Sequence, residues 1–241
     1  MAALGSVPWV GGLFSGWAAL RSDSAEAERN ELYKSWLDEH AERFVQLGAT
    51  LGEILDRLNQ FGNEIQDRIE SPEYLALVRK AFRAWDRADT QEKRDLVRKL
   101  LANAGASTLV PDDLIRLFIE WLDQYHETHF HVIRVIHQYP GSSRADIWDH
   151  MHGEEVREDS AEADLFKRLI RDLSIGGVVR QIRAKDSAGR FLKKPPSKRK
   201  QPRNPYAKSA FDDKEPYELT ELGRQFVHYT MEEVVSRLEG G

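Results

Sequence analysis

The sequence predicts a mainly α-helical protein in which a helical region with a long heptad-patterned helix is followed by a smaller domain carrying a short β element. Three observations carry that expectation. Apolar residues recur at three- and four-residue spacing through most of the chain between residues 30 and 173. Only two short stretches, 178–184 and around 217–219, alternate or branch like strands. Proline, glycine and capping residues fall where the helical patterns start and stop. With 241 residues, 41% of them hydrophobic, the chain can bury an ordinary core in one large domain or two small ones. It has no cysteine, which excludes disulfides, thiolate catalysis and sulfur-ligated zinc, and fits a reducing cytoplasm.

Residues 1–22 form an apolar, Gly-rich opening segment. Its first twenty residues hold no charged side chain and mix Gly5, Gly11, Gly12 and Gly16 with Trp9, Phe14 and Trp17. A secretory signal requires a basic start, which is missing, and Pro8 with four glycines argues against a plain membrane span. The expectation is packing on the protein itself or on a partner, with membrane contact through residues 1–20 as the alternative, because Trp favours interfaces.

A helical domain is expected over residues 23–125. From about Asn30 to Ile69, Leu37, Phe44, Leu51, Leu58 and Ile65 recur every seventh residue, and Leu47, Ile54 and Phe61 follow the middle members by three. That is a heptad seam. Gly48 and Gly52, four apart, would permit a close helix approach. The seam serves either packing on the chain's own later helices or self-association.

Ser71, Pro72 and Glu73 read as the start of a second helix: a capping hydroxyl, a proline tolerated in the first turn and a carboxylate at the positive end of the dipole. Another start is expected at Asp89 with Glu92, closed by Gly105. Leu75, Val78, Phe82 and Trp85 would face the core in the first, and Leu96, Val97, Leu100 and Leu101 in the second. Pro111, Asp112 and Asp113 open a longer pattern through Leu114, Phe118, Trp121, Leu122, Tyr125, Val132, Ile133 and Ile136, ending at Pro140. It is one helix, or two meeting near Thr128.

The second domain, residues 126–241, has the most informative order of elements. A helix through Val132 and Ile136 meets a turn at Pro140 and Gly141. A short helix over 143–151, a third over about 159–173, Gly176 and Gly177, a strand over 178–184, a basic loop over 185–214, a strand near 217–219 and a closing helix from Thr220 follow. The run Tyr217-Glu218-Leu219-Thr220-Glu221-Leu222-Gly223 reads as a strand turning into a helix. From Phe130 onward this order resembles a winged helix, a fold that serves DNA binding, RNA binding and protein docking. The resemblance implies that the third helix would read the major groove. Its start here bears Glu158, Asp159, Glu162 and Asp164, which would face phosphates, while Lys167, Arg168 and Arg171 lie further along.

The loop is the counterweight. Residues 183–214 hold eleven Lys or Arg against three Asp, so the rest of a chain of net charge −5 sums to −13. Arg183, Arg190, Lys193, Lys194, Lys198, Arg199, Lys200 and Arg203 are strung along a Pro-rich segment with Phe191 and Tyr206. Lys and Arg release counterions from phosphate and an aromatic can stack on a base, so this wing is the expected contact for DNA or RNA. The bland alternative is a solvated loop without a specific partner.

His126, His129, His131 and His137, with His150 and His152 further on, raise the question of a metal. No HExxH or helical ligand set accompanies them, and surface or satisfied buried imidazoles are expected instead. GxSxG, GxxxxGK and GxGxxG are all missing, so neither an enzyme nor a bound cofactor is expected. Two function classes remain. One is a nucleic-acid-binding module or adaptor whose N-terminal helices oligomerise or dock a protein. The other is a protein-interaction or effector subunit acting on a membrane or partner; helical body, winged helix and Gly-rich start together resemble bacterial accessory proteins associated with phage defence.

Overall fold

The computed structural model describes residues 46, 49, 52, 63–107, 110–153, 156–182, 186–188, 190, 192, 211 and 216–232. These residues form eight helices and one two-stranded antiparallel sheet. They divide into two compact units, one containing the residues up to Gln124 and those from Tyr229, the other Tyr125–His228. Of the heptad positions, Leu37, Phe44, Leu51 and Leu58 lie outside the described residues, as do residues 1–20. Ile65 lies on the first described helix and is half-buried.

The first unit contains α1 (Asn63–Glu70), α2 (Pro72–Asp86), α3 (Gln91–Ala106) and α4 (Asp112–Gln124). Ser71 caps α2 as expected, its hydroxyl accepting from the Tyr74 N–H at 3.2 Å, with Pro72 in the first turn. The buried face of α2 is rotated from the expected one. Tyr74, Leu77, Val78, Ala81, Ala84 and Trp85 are buried, whereas Leu75 and Phe82 are half-buried. Tyr74 explains the rotation, because its hydroxyl donates to the Leu101 carbonyl at 3.0 Å and an aromatic with a satisfied polar tip can lie fully inside. Burial pushes that phenol far above its ordinary range, so it stays a donor.

Helix α3 is capped by Thr90 rather than Asp89: Thr90 has extended backbone and its hydroxyl accepts from Lys93. Leu96, Val97, Leu100 and Leu101 are buried as predicted, but Gly105 lies within the helix, which ends at extended Ser107. Arg68 of α1 clasps Asp112 at the start of α4 through both guanidinium ends. Buried Asn103 donates to the carbonyls of Tyr229 at 2.9 Å and Glu232 at 3.1 Å, satisfying acceptors that a helix end leaves open.

The long apolar pattern is two helices, α4 and α5 (Glu127–Gln138), separated at Tyr125 and His126 rather than Thr128. Helix α5 starts there because the His129 ring turns back and its Nδ1 accepts the His126 N–H at 3.1 Å. The second unit continues with α6 (Arg144–Met151), α7 (Ala161–Ile175), β1 (Val179–Gln181), β2 (Tyr217–Leu219) and α8 (Glu221–Thr230), which leaves this unit after His228. Ser143 caps α6 and Ser160 caps α7. Inward residues Phe130, Ile133, Ile147, Phe166, Ile170, Val178 and Phe226 make the core.

The two strands pair Val179 with Leu219, Arg180 with Glu218 and Gln181 with Tyr217. On the other edge of β2, Gly141 donates to the Tyr217 carbonyl and the Tyr217 N–H donates to the Ser142 carbonyl, both at 2.9 Å. The first strand ends at Gln181, and 183–184, which the sequence pattern included, lie outside the described residues. Thr220 joins β2 to α8, its hydroxyl donating to the Gly177 carbonyl at 2.6 Å and accepting the Gly223 N–H at 3.0 Å.

Two predictions follow from this packing. A Cβ on Gly223 would lie 2.2 Å from the Val178 carbonyl oxygen, a backbone atom that cannot swing away. Gly223→Ala should therefore destabilise the unit by about 2 kcal/mol despite Ala's better helix propensity, lowering the melting temperature by several degrees. A melting temperature equal to or above that of the unmodified protein would show that the two backbones separate at no cost. The second concerns His129, which is buried, stacks on Tyr125 at 5.0 Å and keeps its Nε2 3.9 Å from Asp172 without a hydrogen bond. Burial, then His126, lowers its pKa below 6.5, outweighing the opposing pull of Asp172. The fold thus favours the neutral ring. Its stability should be full above about pH 6.5 and fall as pH drops below that value, where the unfolded chain binds the extra proton. Melting curves between about pH 7.5 and 5.5 should be flatter for His129→Gln; an unchanged slope would remove His129 from the cause.

Candidate nucleic-acid interface

Helix α7 turns Ala163, Phe166, Leu169, Ile170 and Leu173 inward, which fixes what it can present outward. Glu162, Asp164, Leu165, Arg168 and Arg171 are exposed. The Glu162 carboxyl is held below its ordinary range by its own backbone N–H and the Ser160 hydroxyl, so the start of the helix is firmly anionic at neutral pH. The cations along it are matched locally. Lys167 lies 3.7 Å from Glu158 and 3.6 Å from Asp164, Arg168 pairs with Asp172 at 3.2 Å, and Arg157 folds onto Asp159. Such exposed pairs contribute only about 0–1 kcal/mol each, so phosphate could compete for the cations, but the released carboxylates would then face it. Of the three cations predicted here, only Arg171 has no ion pair among the described residues.

At the base of the basic loop, Arg180 pairs with Glu218 at 2.8 Å directly across the strands. Beyond it, Asp186 organises a tight turn: its carboxylate accepts the N–H groups of Ala188 at 3.0 Å and Arg190 at 2.8 Å, and the Arg190 Nε at 2.8 Å. Those donors hold the Asp186 carboxyl below its ordinary range. Arg190, a predicted phosphate contact, is 82% exposed yet paired with that carboxylate. Arg183, Lys193, Lys194, Lys198, Arg199, Lys200 and Arg203 lie outside the described residues, with Phe191 and Tyr206. Their stretch leaves and returns at one place, since the Ile182 N–H donates to the Pro216 carbonyl at 2.8 Å.

Two groups were missed in the sequence. Phe211, near the end of the basic stretch, stacks on Phe166 at 5.8 Å and meets Trp148 edge-on at 5.0 Å. Trp148 and Phe166 are themselves in contact, so the returning arm of the loop is fastened to α6 and α7. A lone aromatic in a polar run was the available signal. The other is Arg144, at the start of α6, whose Nε donates to the Tyr217 hydroxyl at 3.0 Å while Gln181 donates to the same oxygen at 3.1 Å. Nothing local in the sequence joins these three.

The histidines scatter: His129 is inward, His131 and His137 are exposed, His150 packs on Tyr139 and His152 on Trp148. Among the described residues, no three His, Asp or Glu side chains converge into a cluster that could hold a metal, and no helix is long and apolar enough to cross a membrane. The chain matches no protein-family model, no curated protein and no solved structure.

If Phe211 fastens the loop, Phe211→Ala should leave the helical circular-dichroism signal intact while limited trypsin cleavage within 193–208 becomes several-fold faster. Cleavage at the unmodified rate would mean that the aromatic contact does not restrain the loop.

Proposed function

We propose that the second unit is a winged-helix type of nucleic-acid-binding module that grips phosphate through its basic wing rather than through α7. The observation that carries this reading is the separation of charge around β1 and β2. Their antiparallel pairing brackets the stretch that holds the eight surplus positive charges, whereas the cations Lys167 and Arg168 on α7 are matched by carboxylates. An array of Lys and Arg binds DNA or RNA by counterion release with little dependence on sequence. The acidic start of α7 opposes close approach of a duplex at the position where a winged helix would read bases. The wing thus supplies affinity, and strong sequence preference is not expected. The N-terminal helical region serves oligomerisation or partner docking in this reading.

Protein docking is favoured by a different observation: Leu165 is 51% and Ile175 80% exposed on α7. One experiment separates the readings. Changing Lys198, Arg199 and Lys200 together to Ala should weaken binding to unrelated duplexes alike and flatten the dependence of log affinity on log salt by about 0.9 per lost phosphate contact. Changing Glu162 and Asp164 to Ala should leave binding intact or tighten it. An unaltered salt slope in the triple variant, together with lost binding in the α7 variant, would return the contact to α7. If the unmodified protein binds neither DNA nor RNA at low salt, protein docking takes its place.

A further inference from the structure

We propose that Arg144 is a second phosphate-binding element, held at the neck of the wing by Tyr217 and engaging the backbone of the same nucleic acid that the basic loop grips. This rests on the nucleic-acid reading above and adds to it a fixed site. A census of the cations on this unit leads to it. Arg157, Lys167, Arg168, Arg180, Arg190 and Arg224 each have a carboxylate within ion-pair distance. Arg144 and Arg171 have none among the described residues, and of these two only Arg144 has a hydrogen-bond partner that orients it. Its one partner is a neutral phenol, which takes the Nε proton at 3.0 Å and lies with its ring centroid 5.7 Å from the guanidinium carbon.

That arrangement orients the side chain without neutralising it. With Nε engaged, the two terminal nitrogens keep the planar pair of donors that matches two phosphate oxygens, and neither is among the buried atoms lacking a partner. Tyr217 is itself immobile, being 2% exposed and bonded through its backbone to Gly141 and Ser142. Arg144 also stands in the first turn of α6, where a cation opposes the helix dipole, so helix stability does not account for it.

Its location supplies the link to the loop. The Tyr217 hydroxyl accepts from Gln181 as well, and Gln181 and Tyr217 are the paired residues at which the chain enters and leaves the basic stretch. A phosphate backbone drawn to that stretch passes its neck, where Arg144 presents a preoriented charge that costs less side-chain ordering to engage than a loop lysine.

The test is titration of a 20-base-pair duplex and a single-stranded RNA of the same length at several salt concentrations, with full-length protein. Arg144→Gln should weaken binding several-fold and lower the salt slope on the duplex by about 0.9. Arg144→Lys and Tyr217→Phe should weaken binding while leaving the slope unchanged, because the charge remains and only its orientation is lost. Unmodified protein that binds while Arg144→Gln keeps both its affinity and its slope would overturn the proposal and spare the wing reading. If Arg144→Gln does not fold, Arg144→Lys at the unmodified affinity has the same force. No binding by the unmodified protein would sink the reading on which the proposal stands, and Arg144-dependent binding to phosphatidylglycerol vesicles alone would transfer the site to lipid phosphate.

Discussion

The second unit depends on the pairing of one three-residue strand on both of its edges. Tyr217 exchanges backbone hydrogen bonds with the Gly141–Ser142 turn on one side, and β2 pairs with β1 on the other. A strand so short contributes little alone, since two-stranded pairings are marginal in water. It holds because its ends are tied: Tyr217 and Leu219 are buried, and Thr220 bonds the Val178 backbone and Gly177 as it starts α8. Glycine makes the ties possible. Gly141 and Gly177 have positive φ, and Gly223 admits the Val178 carbonyl where any side chain would collide.

Much of this was legible from residue chemistry. The cap at Ser71, the β2 strand and the order helix, short helix, helix, strand, strand, helix all follow from local signals, because a cap or a turn residue acts within four positions of itself. The errors share a cause. Thr90 displaced Asp89, α4 ended at Gln124, and the α2 face turned toward Tyr74, each time because a partner distant in sequence or an equally good local competitor decided the outcome. Leu101, 27 residues from Tyr74, is what makes a tyrosine a core residue. No periodicity reports such a bond.

The candidate interface was legible in a different proportion. Charge counting isolates the basic loop, because eleven cations in a short stretch are a property of composition. It cannot tell whether a cation is available. Lys167, Arg168 and Arg190 were equivalent to their neighbours on the page, and each proves to be matched by a carboxylate three or more positions away. Arg144 was passed over because it stands alone in an ordinary helix start. Its distinction is the identity of its partner, a phenol brought in from residue 217.

These facts combine into a physical reason for the concentration of charge between β1 and β2. A chain with a net charge of −13 outside the loop repels phosphate, so cations scattered over it tend to be cancelled by adjacent carboxylates, as Lys167 and Arg168 are on α7. The pairing of β1 and β2 fixes the two ends of the loop side by side whatever lies between them. Lengthening a closed loop adds entropy cost only as the logarithm of its length, so positive charge can be concentrated there with little effect on the fold. Phe211 adds a further fixed point near the end of that stretch through its contacts with Trp148 and Phe166. Within one small unit, glycine, a tied strand and an aromatic contact thus set where the basic stretch begins and ends.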